Sequence, residues 1–443
     1  MAGNKGMEQT RAQKLEAGSK TGGVMLIAAL MTGYSVIYMD KNMISTAIIP
    51  ISLQFHLDTG QTGLIMSMFF LAYSIMQVPC GWLADKFGAR RVLMASMVFI
   101  AVFSYLFGAV SGLALFIVIR FGAGLGHGGY PPSCSKAIAE NFPRKKRTFV
   151  QSLILSTNGI GAILAFTLGA HLVVRNWRVA YAVLGSLYLV AFLMIWIFVT
   201  DGKREDATEV EKAEEVEKAD AADEVEQVEQ VEQPAQVAIA EPEEKPKFTQ
   251  VIKNRNVIVL FIAMFLVNVI SYGNISWLPS YITKTYGMSM GKMGYILAFN
   301  AIFTTVATIF SGTLLSKFFL HKERQTTVVS ALLVAVLIVA FVLSKNLVVS
   351  IIMLILLSMI CALVFTSIFT WPHKIMDARV IGSVIGIVNT GGTLGGFVAP
   401  AAIGYLVKAM GGSFVPAFLF LAGVAVCVAI TVLFVKVPEQ RKD

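Results

Sequence analysis

Charged side chains are scarce in this sequence. Asp, Glu, Lys and Arg make up 14% of its 443 residues, and 56% of the residues are hydrophobic. Soluble domains carry about 25% charged residues, so this composition excludes an ordinary water-soluble enzyme. It is typical of a protein whose side chains are largely solvated by lipid. The net charge of +9 does not indicate a nucleic-acid partner, because the basic residues lie between long apolar runs.

Cysteines and the usual catalytic motifs are also rare or missing. The four cysteines lie in or beside apolar segments without the spacing of a metal site, and we interpret them as core residues: Cys80, Cys134, Cys361 and Cys427. The sequence has no phosphate-cradling glycine loop and no assignable nucleophile–base pair. We therefore predict a protein that is not an enzyme, holds no metal or cofactor, and draws its energy from an ion gradient.

The sequence is rich in apolar runs long enough to cross a bilayer, which takes about 20 residues each. Because backbone polar groups in hydrocarbon need partners within their own segment, these runs predict an all-α polytopic membrane protein. They divide six and six around residues 201–256, which predicts two six-helix bundles, at 24–200 and 257–435. The twelve predicted transmembrane helices lie near 24–49, 61–83, 92–111, 113–139, 148–171, 178–199, 257–283, 291–316, 326–344, 347–370, 381–407 and 413–435.

The segments outside the spans predict the orientation. The tails, 1–23 and 436–443, and the loops on their side hold 27 Lys and Arg, against six on the other side. This bias predicts a multi-pass protein of the plasma membrane with both termini in the cytoplasm. The linker at 201–256 contains a low-complexity acidic stretch, which is too polar to fold alone. We predict a mostly disordered tether, with a regulatory role as the alternative.

A loop motif lies between the second and third predicted spans. Residues 81–91 read GWLADKFGARR, which resembles the signature G-x-L-A-D-[R/K]-x-G, followed by basic residues, of the major facilitator superfamily. A degenerate copy, 312–317, starts 231 residues later and indicates two related halves. A carboxylate at a helix end can pair with nearby Arg side chains and helix N-termini. We predict a conformational latch between the halves, with topology as the alternative role of its basic residues; its members are Gly81, Asp85, Gly88, Arg90 and Arg91.

Three further segments are similar to the anion:cation symporter branch, which includes sugar-acid and other organic-anion permeases. They read YMDK at 38–41, FFLAYSIMQVPCG at 69–81 and WLPSY at 277–281. The resemblance implies the two-bundle major facilitator fold and symport by alternating access. Lys41 stands where the branch has Arg, and this loses a bidentate fork for a carboxylate. His127 stands where the branch usually has Glu.

Charged residues inside the spans are few, and all belong to the first half. Deep in the spans the sequence has only Asp40, Lys41, Arg120 and His127, and each costs about 2.5–3.5 kcal/mol to insert without a partner or a wet cavity. We predict that Lys41 and Arg120 attract an anion. Asp40 and His127 are predicted to carry the coupling proton, because protonation of Asp40 makes the cavity more positive and histidine titrates near neutral pH.

Plainer interpretations stay open at this stage. The Asp40–Arg120 pair can be purely structural, and His127, in a glycine-rich run, can simply hydrogen-bond across a tight helix interface. Neutral polar side chains suit a hydroxylated ligand, although each can also bridge two helices, and Asn389 is favoured by the resemblance. The predicted substrate contacts are Tyr34, Tyr38, Lys41, Tyr73, Gln77, Arg120, Asn158, Asn268, Tyr272, Thr370, Trp371 and Asn389.

The sequence as a whole predicts a secondary active transporter. We expect a monomer in the lipid bilayer that takes up a small organic anion, such as a sugar acid, together with H⁺; Na⁺ stays open as the coupling ion. The alternative is a proton-antiport exporter of drugs or metabolites. It is disfavoured because span five has no Gly-Pro motif and the core of the second half has no acidic residue. A membrane sensor that does not transport is the third possibility.

Overall fold

The computed structural model describes residues 2–142, 144–200, 248–317, 322–376 and 381–436, and every regular element in these ranges is helical. Eleven continuous helical stretches are long and apolar enough to cross a membrane. The longest, Phe149–Phe198, contains two of the predicted spans. Twelve helical spans therefore follow one another, and the predicted fold class is confirmed.

The first six spans form the first half. Their bounds are α1 Ala2–Phe55, α2 Thr59–Phe87, α3 Ala89–Ala109, α4 Leu113–Asn141, α5 Arg144–Leu164, which continues through a π-helical turn, Ala165–Gly169, and α6, the part of Ala170–Phe198 after Asn176. The second half has α7 Arg255–Tyr286, α8 Met290–Lys317, α9 Glu323–Leu343, α10 Leu347–Thr370, α11 Ile381–Ala409 and α12 Val415–Leu433. Two short helices, Phe248–Lys253 and Pro372–Ile375, precede α7 and follow α10. The predicted linker lies outside the described residues up to 247.

Asn176 separates α5 from α6 without a loop. Its backbone is extended (φ −165°, ψ 112°), and its side-chain oxygen accepts a hydrogen bond from the backbone N–H of Arg178 at 2.9 Å. An asparagine that satisfies a free N–H group in this way is a normal helix start. The break therefore turns one long apolar run into two membrane spans.

The glycine of the loop motif has a clear backbone role. Gly88 joins α2 to α3 as a single linking residue with φ 91° and ψ 147°, a conformation that side chains with a Cβ rarely adopt. Its N–H donates to the carbonyl of Ala84, which closes the end of α2. This tight turn fixes where Asp85, Arg90 and Arg91 stand.

Helix pairs α2–α11, α5–α8 and α1–α7 hold the two halves together. At the end that carries the α1–α2 turn, a Cβ on Gly63 would collide with the carbonyl of Pro400, and one on Gly404 with that of Thr59. The Thr59 hydroxyl donates to the Gly404 carbonyl at 2.9 Å. Glycine thus lets α2 and α11 meet backbone to backbone, and the halves are closed at this end.

The same end carries an ion pair between the halves. Asp58, the N-cap of α2, lies 2.9 Å from the ammonium of Lys408 on α11. At the opposite end of α2 the large side chains of Val78 and Trp82 are 77% and 58% exposed. With the predicted orientation, the closed end is the external one.

Candidate functional site

Asp40 lies at the centre of a buried polar cluster in the first half. One carboxylate oxygen is 3.0 Å from Nη1 of Arg120, and the other is 3.0 Å from Nε2 of His127. Arg120 and His127 are seven residues apart on α4, about two helical turns, so they present one face to α1. All three residues are at most 2% exposed. The cluster is therefore enclosed by protein.

Glycines bring the helices around this cluster close together. A Cβ on Gly124 would collide with the backbone carbonyl of Phe69 on α2, and one on Gly122 with the ring of Phe103 on α3. The guanidinium of Arg120 lies 4.5 Å from the ring centroid of Phe69. Close packing on both sides of α4 thus holds the Arg120 and His127 side chains against α1.

Tyr188 of α6 completes the cluster and was not among the predicted residues. Its hydroxyl lies 3.2 Å from Nε2 of His127, 3.4 Å from the carboxylate of Asp40 and 3.3 Å from the carbonyl of Val36. A buried tyrosine hydroxyl needs a hydrogen-bond partner, and this was the only sequence signal. Which partner it has depends on the rotation of α6, which the sequence does not specify.

The hydrogen bonds constrain where the proton of His127 sits. An ionised carboxylate only accepts hydrogen bonds, so Nε2 carries the hydrogen when Asp40 is charged. Nδ1 is buried and has no partner in the described part of the chain. When Asp40 is protonated, its O–H can donate to Nε2 instead, provided that the imidazole proton moves to Nδ1. The bond between these two side chains can therefore run in either direction.

Lys41 has a different environment from Arg120. It is 8% exposed, and its ammonium lies 4.2 Å from the ring centroid of Tyr73 and 5.1 Å from that of Tyr38. Within the described residues no carboxylate lies within 4.0 Å of it. Aromatic faces attract a cation but do not neutralise it. Lys41 is therefore a buried cation that no carboxylate of the described residues contacts directly.

The aromatic residues beside Lys41 reach both halves. Tyr272 of α7 packs on Phe70 of α2 with ring centroids 4.4 Å apart. Tyr38 stacks on Tyr34 at 5.4 Å. Tyr34 is buried in the first half, whereas Tyr38 and Tyr272 are partly exposed. The tyrosines thus form the wall around the ammonium of Lys41, and Tyr34 supports that wall from behind.

Two predicted amides lie on helix faces that turn toward the opposite half. Asn389 is seven residues before Gly396 on α11, where a Cβ would contact Phe70 and Tyr272, so two turns of helix place both on one face. Asn158 of α5 lies between the faces of Gly159, which meets α8, and Gly161, which meets α1. Both asparagines are exposed. Both therefore lie on faces directed at the boundary between the halves, and we call this region, on the side away from the closed α1–α2 end, the opening.

Other predicted contacts are not brought to this opening. Asn268 is buried and donates to the Met264 carbonyl of its own helix, and Thr370 likewise donates to the carbonyl of Thr366. Trp371 is 2% exposed at the end of α10. Gln77 is half-buried, one turn from Tyr73. These four are positioned by packing or by bonds within their own helix.

The described contacts of the predicted latch lie within the first half. Asp85 is 3.0 Å from the ammonium of Lys136 on α4, and a guanidinium nitrogen of Arg90 donates to the carbonyl of Trp196 at 2.6 Å. A Cβ on Gly81 would make an ordinary contact with Pro132, and Arg91 is exposed. Several side chains of the degenerate copy at 312–317 lie outside the described residues. The latch between halves stays a prediction for the opposite conformation.

Comparisons with known proteins agree with this architecture. The model of the Major Facilitator Superfamily matches residues 30–400. The probable galactarate/D-glucarate transporter GarP of Escherichia coli (strain K12) is 27% identical over 443 residues, 95% of each chain. The hexuronate transporter of Bacillus subtilis (strain 168) is 26% identical over 407 residues, 89% of this chain and 90% of that one. The probable sulfoacetate transporter SauU of Cupriavidus necator is 26% identical over 87% of this chain and 88% of that one.

A solved structure shares the fold. The bacterial homolog to the human lysosomal transporter Spinster, in an inward-facing and occupied conformation, superposes with a TM-score of 0.71 over 92% of this chain and 93% of that chain, at 15% identity.

Proposed function

The chain belongs to the Major Facilitator Superfamily, and from this premise we propose that this membrane transporter takes up a small organic anion together with a proton. The curated relatives carry galactarate and D-glucarate, hexuronate or sulfoacetate by name. They support an organic anion of the sugar-acid class. The ammonium of Lys41 and the amides of Asn158 and Asn389 support the same class.

The observation that carries the proposal is the ammonium of Lys41. A buried ion without a counterion is costly, and a transporter recovers that cost when the substrate supplies the opposite charge. Lys41 lies beside Tyr38 and Tyr73 of the first half, and Tyr272 of the second half interacts with it electrostatically, so Lys41 is close to the boundary between the halves. It therefore binds the substrate carboxylate, with Tyr38, Tyr73 and Tyr272 around it.

Arg120 has a different role from the one expected of a direct anion contact. Its guanidinium is bonded to Asp40 and is 2% exposed. In this conformation it holds the carboxylate of Asp40 and does not face the opening. The substrate thus contacts Lys41, and Arg120 contributes to the electrostatic potential of the site without contacting the substrate.

Asp40 couples proton uptake to anion binding. When it is ionised, it compensates Arg120, and the cluster contributes little net charge. When it is protonated, the positive charge of Arg120 is uncompensated next to Lys41 and strengthens the attraction for an anion. The nearest side-chain neighbours of both carboxylate oxygens are nitrogens of Arg120 and His127 at 3.0 Å, and not the oxygen ligands that a hard cation takes, which favours H⁺ over Na⁺.

Transport by purified protein in liposomes tests both roles. We expect Asp40→Asn to abolish accumulation of an aldonate or a hexuronate driven by a pH gradient, while exchange across the membrane persists. Asp58→Asn, which removes an exposed carboxylate, is the matched control and should still accumulate substrate. Accumulation against a gradient by Asp40→Asn would show that the proton is carried elsewhere.

Lys41 is tested by binding. Lys41→Gln should lose binding of the same acids at least tenfold, and Lys41→Arg should retain it, because the charge is kept. Unchanged binding by Lys41→Gln would remove the anion site from this residue. Substrate-driven efflux of protons from the liposome, in place of influx, would favour the export alternative.

A further inference from the structure

We infer that the site takes substrates with one carboxylate and discriminates against the dicarboxylate of the same sugar. This inference rests on the proposed function and narrows its substrate class to sugar monocarboxylates, the aldonates and hexuronates. It follows from a count of the charges that can reach the opening between the halves.

Among the described residues of the first half, the cation available to a substrate is Lys41. Lys41 has no acidic partner within 4.0 Å in the described ranges, whereas Arg120 is paired with Asp40 at 3.0 Å. Protonation of Asp40 leaves Arg120 charged, but its guanidinium stays packed on the ring of Phe69 at 4.5 Å and within the first half. Arg120 thus raises the local potential without making a contact to a second carboxylate.

The second half has no charged residue in the core of its membrane spans. Its apolar spans contain no Asp, Glu, Lys or Arg over long stretches, namely 256–283, 293–316, 325–344, 346–373, 380–407 and 409–435. Two of the exposed polar groups on faces directed at the other half are amides: Asn389 on α11 of the second half and Asn158 on α5 of the first half. A substrate held by one carboxylate at Lys41 therefore extends toward neutral hydrogen-bonding groups.

Neutral amides discriminate between the two ends of a sugar acid. They donate to and accept from hydroxyl groups, so an alcohol or hemiacetal end is satisfied. When the halves close around the substrate, a second carboxylate in the same position loses water and gains no counterion, which is strongly unfavourable. We expect a dicarboxylate to bind at least tenfold more weakly than the matching monocarboxylate at pH 7.

Matched acids test the inference on the wild-type chain. L-galactonate and galactarate are both linear, and they differ only in whether one terminal carbon is an alcohol or a carboxylate. Gluconate and D-glucarate form a second such pair. Each hexuronate can also be compared with the dicarboxylate that has a carboxylate in place of its aldehyde carbon. Binding is measured by thermal stabilisation of the purified full chain and by counterflow in liposomes. At least tenfold tighter binding of the monocarboxylates supports the inference.

Different results would overturn the single-carboxylate inference and the proposed function. Equal or tighter binding of the dicarboxylates, with Lys41→Gln still losing it, overturns the single-carboxylate inference and leaves the proposed function intact. Binding and counterflow of neither class overturn the proposed function and this inference with it.

A gain-of-function variant gives an independent readout. Asn389→Lys places a second cation on the face of α11 where Gly396 meets Phe70 and Tyr272. This variant should improve the binding of a dicarboxylate relative to that of the monocarboxylate at least tenfold. Asn389→Gln, which keeps a neutral amide, is the control and should retain the wild-type order. An unchanged order in a folded Asn389→Lys variant that still binds a monocarboxylate would contradict the assignment of this face.

Discussion

Substitutions in the ion pair between Asp40 and Arg120 should affect the stability of the protein and its proton coupling in different ways. Arg120→Met removes the guanidinium 3.0 Å from one carboxylate oxygen and leaves Asp40 buried with His127 and Tyr188. Breaking a buried pair from one side typically costs about 3–5 kcal/mol. We expect the lower end, about 3 kcal/mol, because two hydrogen bonds to the other carboxylate oxygen remain.

Removing both charges changes the result. In the double variant Asp40→Asn with Arg120→Met neither member of the pair leaves an unpaired charge behind, and replacement of a buried pair by uncharged groups is often nearly neutral. We expect the double variant to recover most of the lost stability, so that the two substitutions are coupled by about 2 kcal/mol or more. Asp40→Asn alone should cost less than Arg120→Met, because its amide oxygen still accepts from Arg120.

The assay combines unfolding and transport in the same four proteins. Unfolding in detergent ranks their stability, and liposomes report accumulation driven by a pH gradient. The double variant should be stable and yet fail to accumulate substrate. If it regains both, the pair is structural, as the sequence left open, and the coupling role of Asp40 is wrong. If it stays as unstable as Arg120→Met, the cost does not come from an unpaired charge.

Three further predictions follow from particular contacts. Tyr188→Phe should lower the stability by about 1 kcal/mol and shift the pH profile of uptake, because the hydroxyl of Tyr188 contacts Asp40 and His127. The control on the same helix is Tyr181→Phe, because the buried hydroxyl of Tyr181 has no partner in the described residues. Equal pH profiles of the two variants would contradict the assignment. Gly63→Leu should open the closed end, since a Cβ at this position would strike the carbonyl of Pro400. Asp58→Asn should shift the closed population less than about fivefold, because exposed ion pairs contribute about 0–1 kcal/mol. Spin-label distances between the α1–α2 and α11–α12 turns measure both effects, and a larger effect of Asp58→Asn than of Gly63→Leu would contradict this prediction. The backbone N–H of Gln61 and the ammonium of Lys408 lower the pKa of Asp58 below its ordinary value, so its stabilising contribution is complete above the ordinary pKa and is lost only as the pH falls through the lowered one. Between pH 7 and 5 the wild type should therefore show the same pH response of the spin-label distances at this end as Asp58→Asn. A pH response of the wild type that disappears in Asp58→Asn would refute this.

Much of the architecture could be predicted from the sequence because lipid imposes simple rules. Apolar runs of about 20 residues must be helices, so the twelve spans and their division into halves were readable, and the family and the transporter class are confirmed. Even the join at Asn176, where two predicted spans form one helical run, changed no span count. The scarcity of charge in lipid also made the ionisable set easy to find.

Only the tertiary structure decided what each of those charges does. Asp40 and Lys41 are neighbours in the sequence, yet one is enclosed with Arg120 and His127 and the other faces tyrosines without a counterion. The sequence predicted both cations as anion contacts, and it did not include Tyr188. The pairing of a side chain depends on how its helix is rotated and on which helices pack beside it. Both are set by contacts between segments far apart in the chain, and a local sequence pattern does not contain this information.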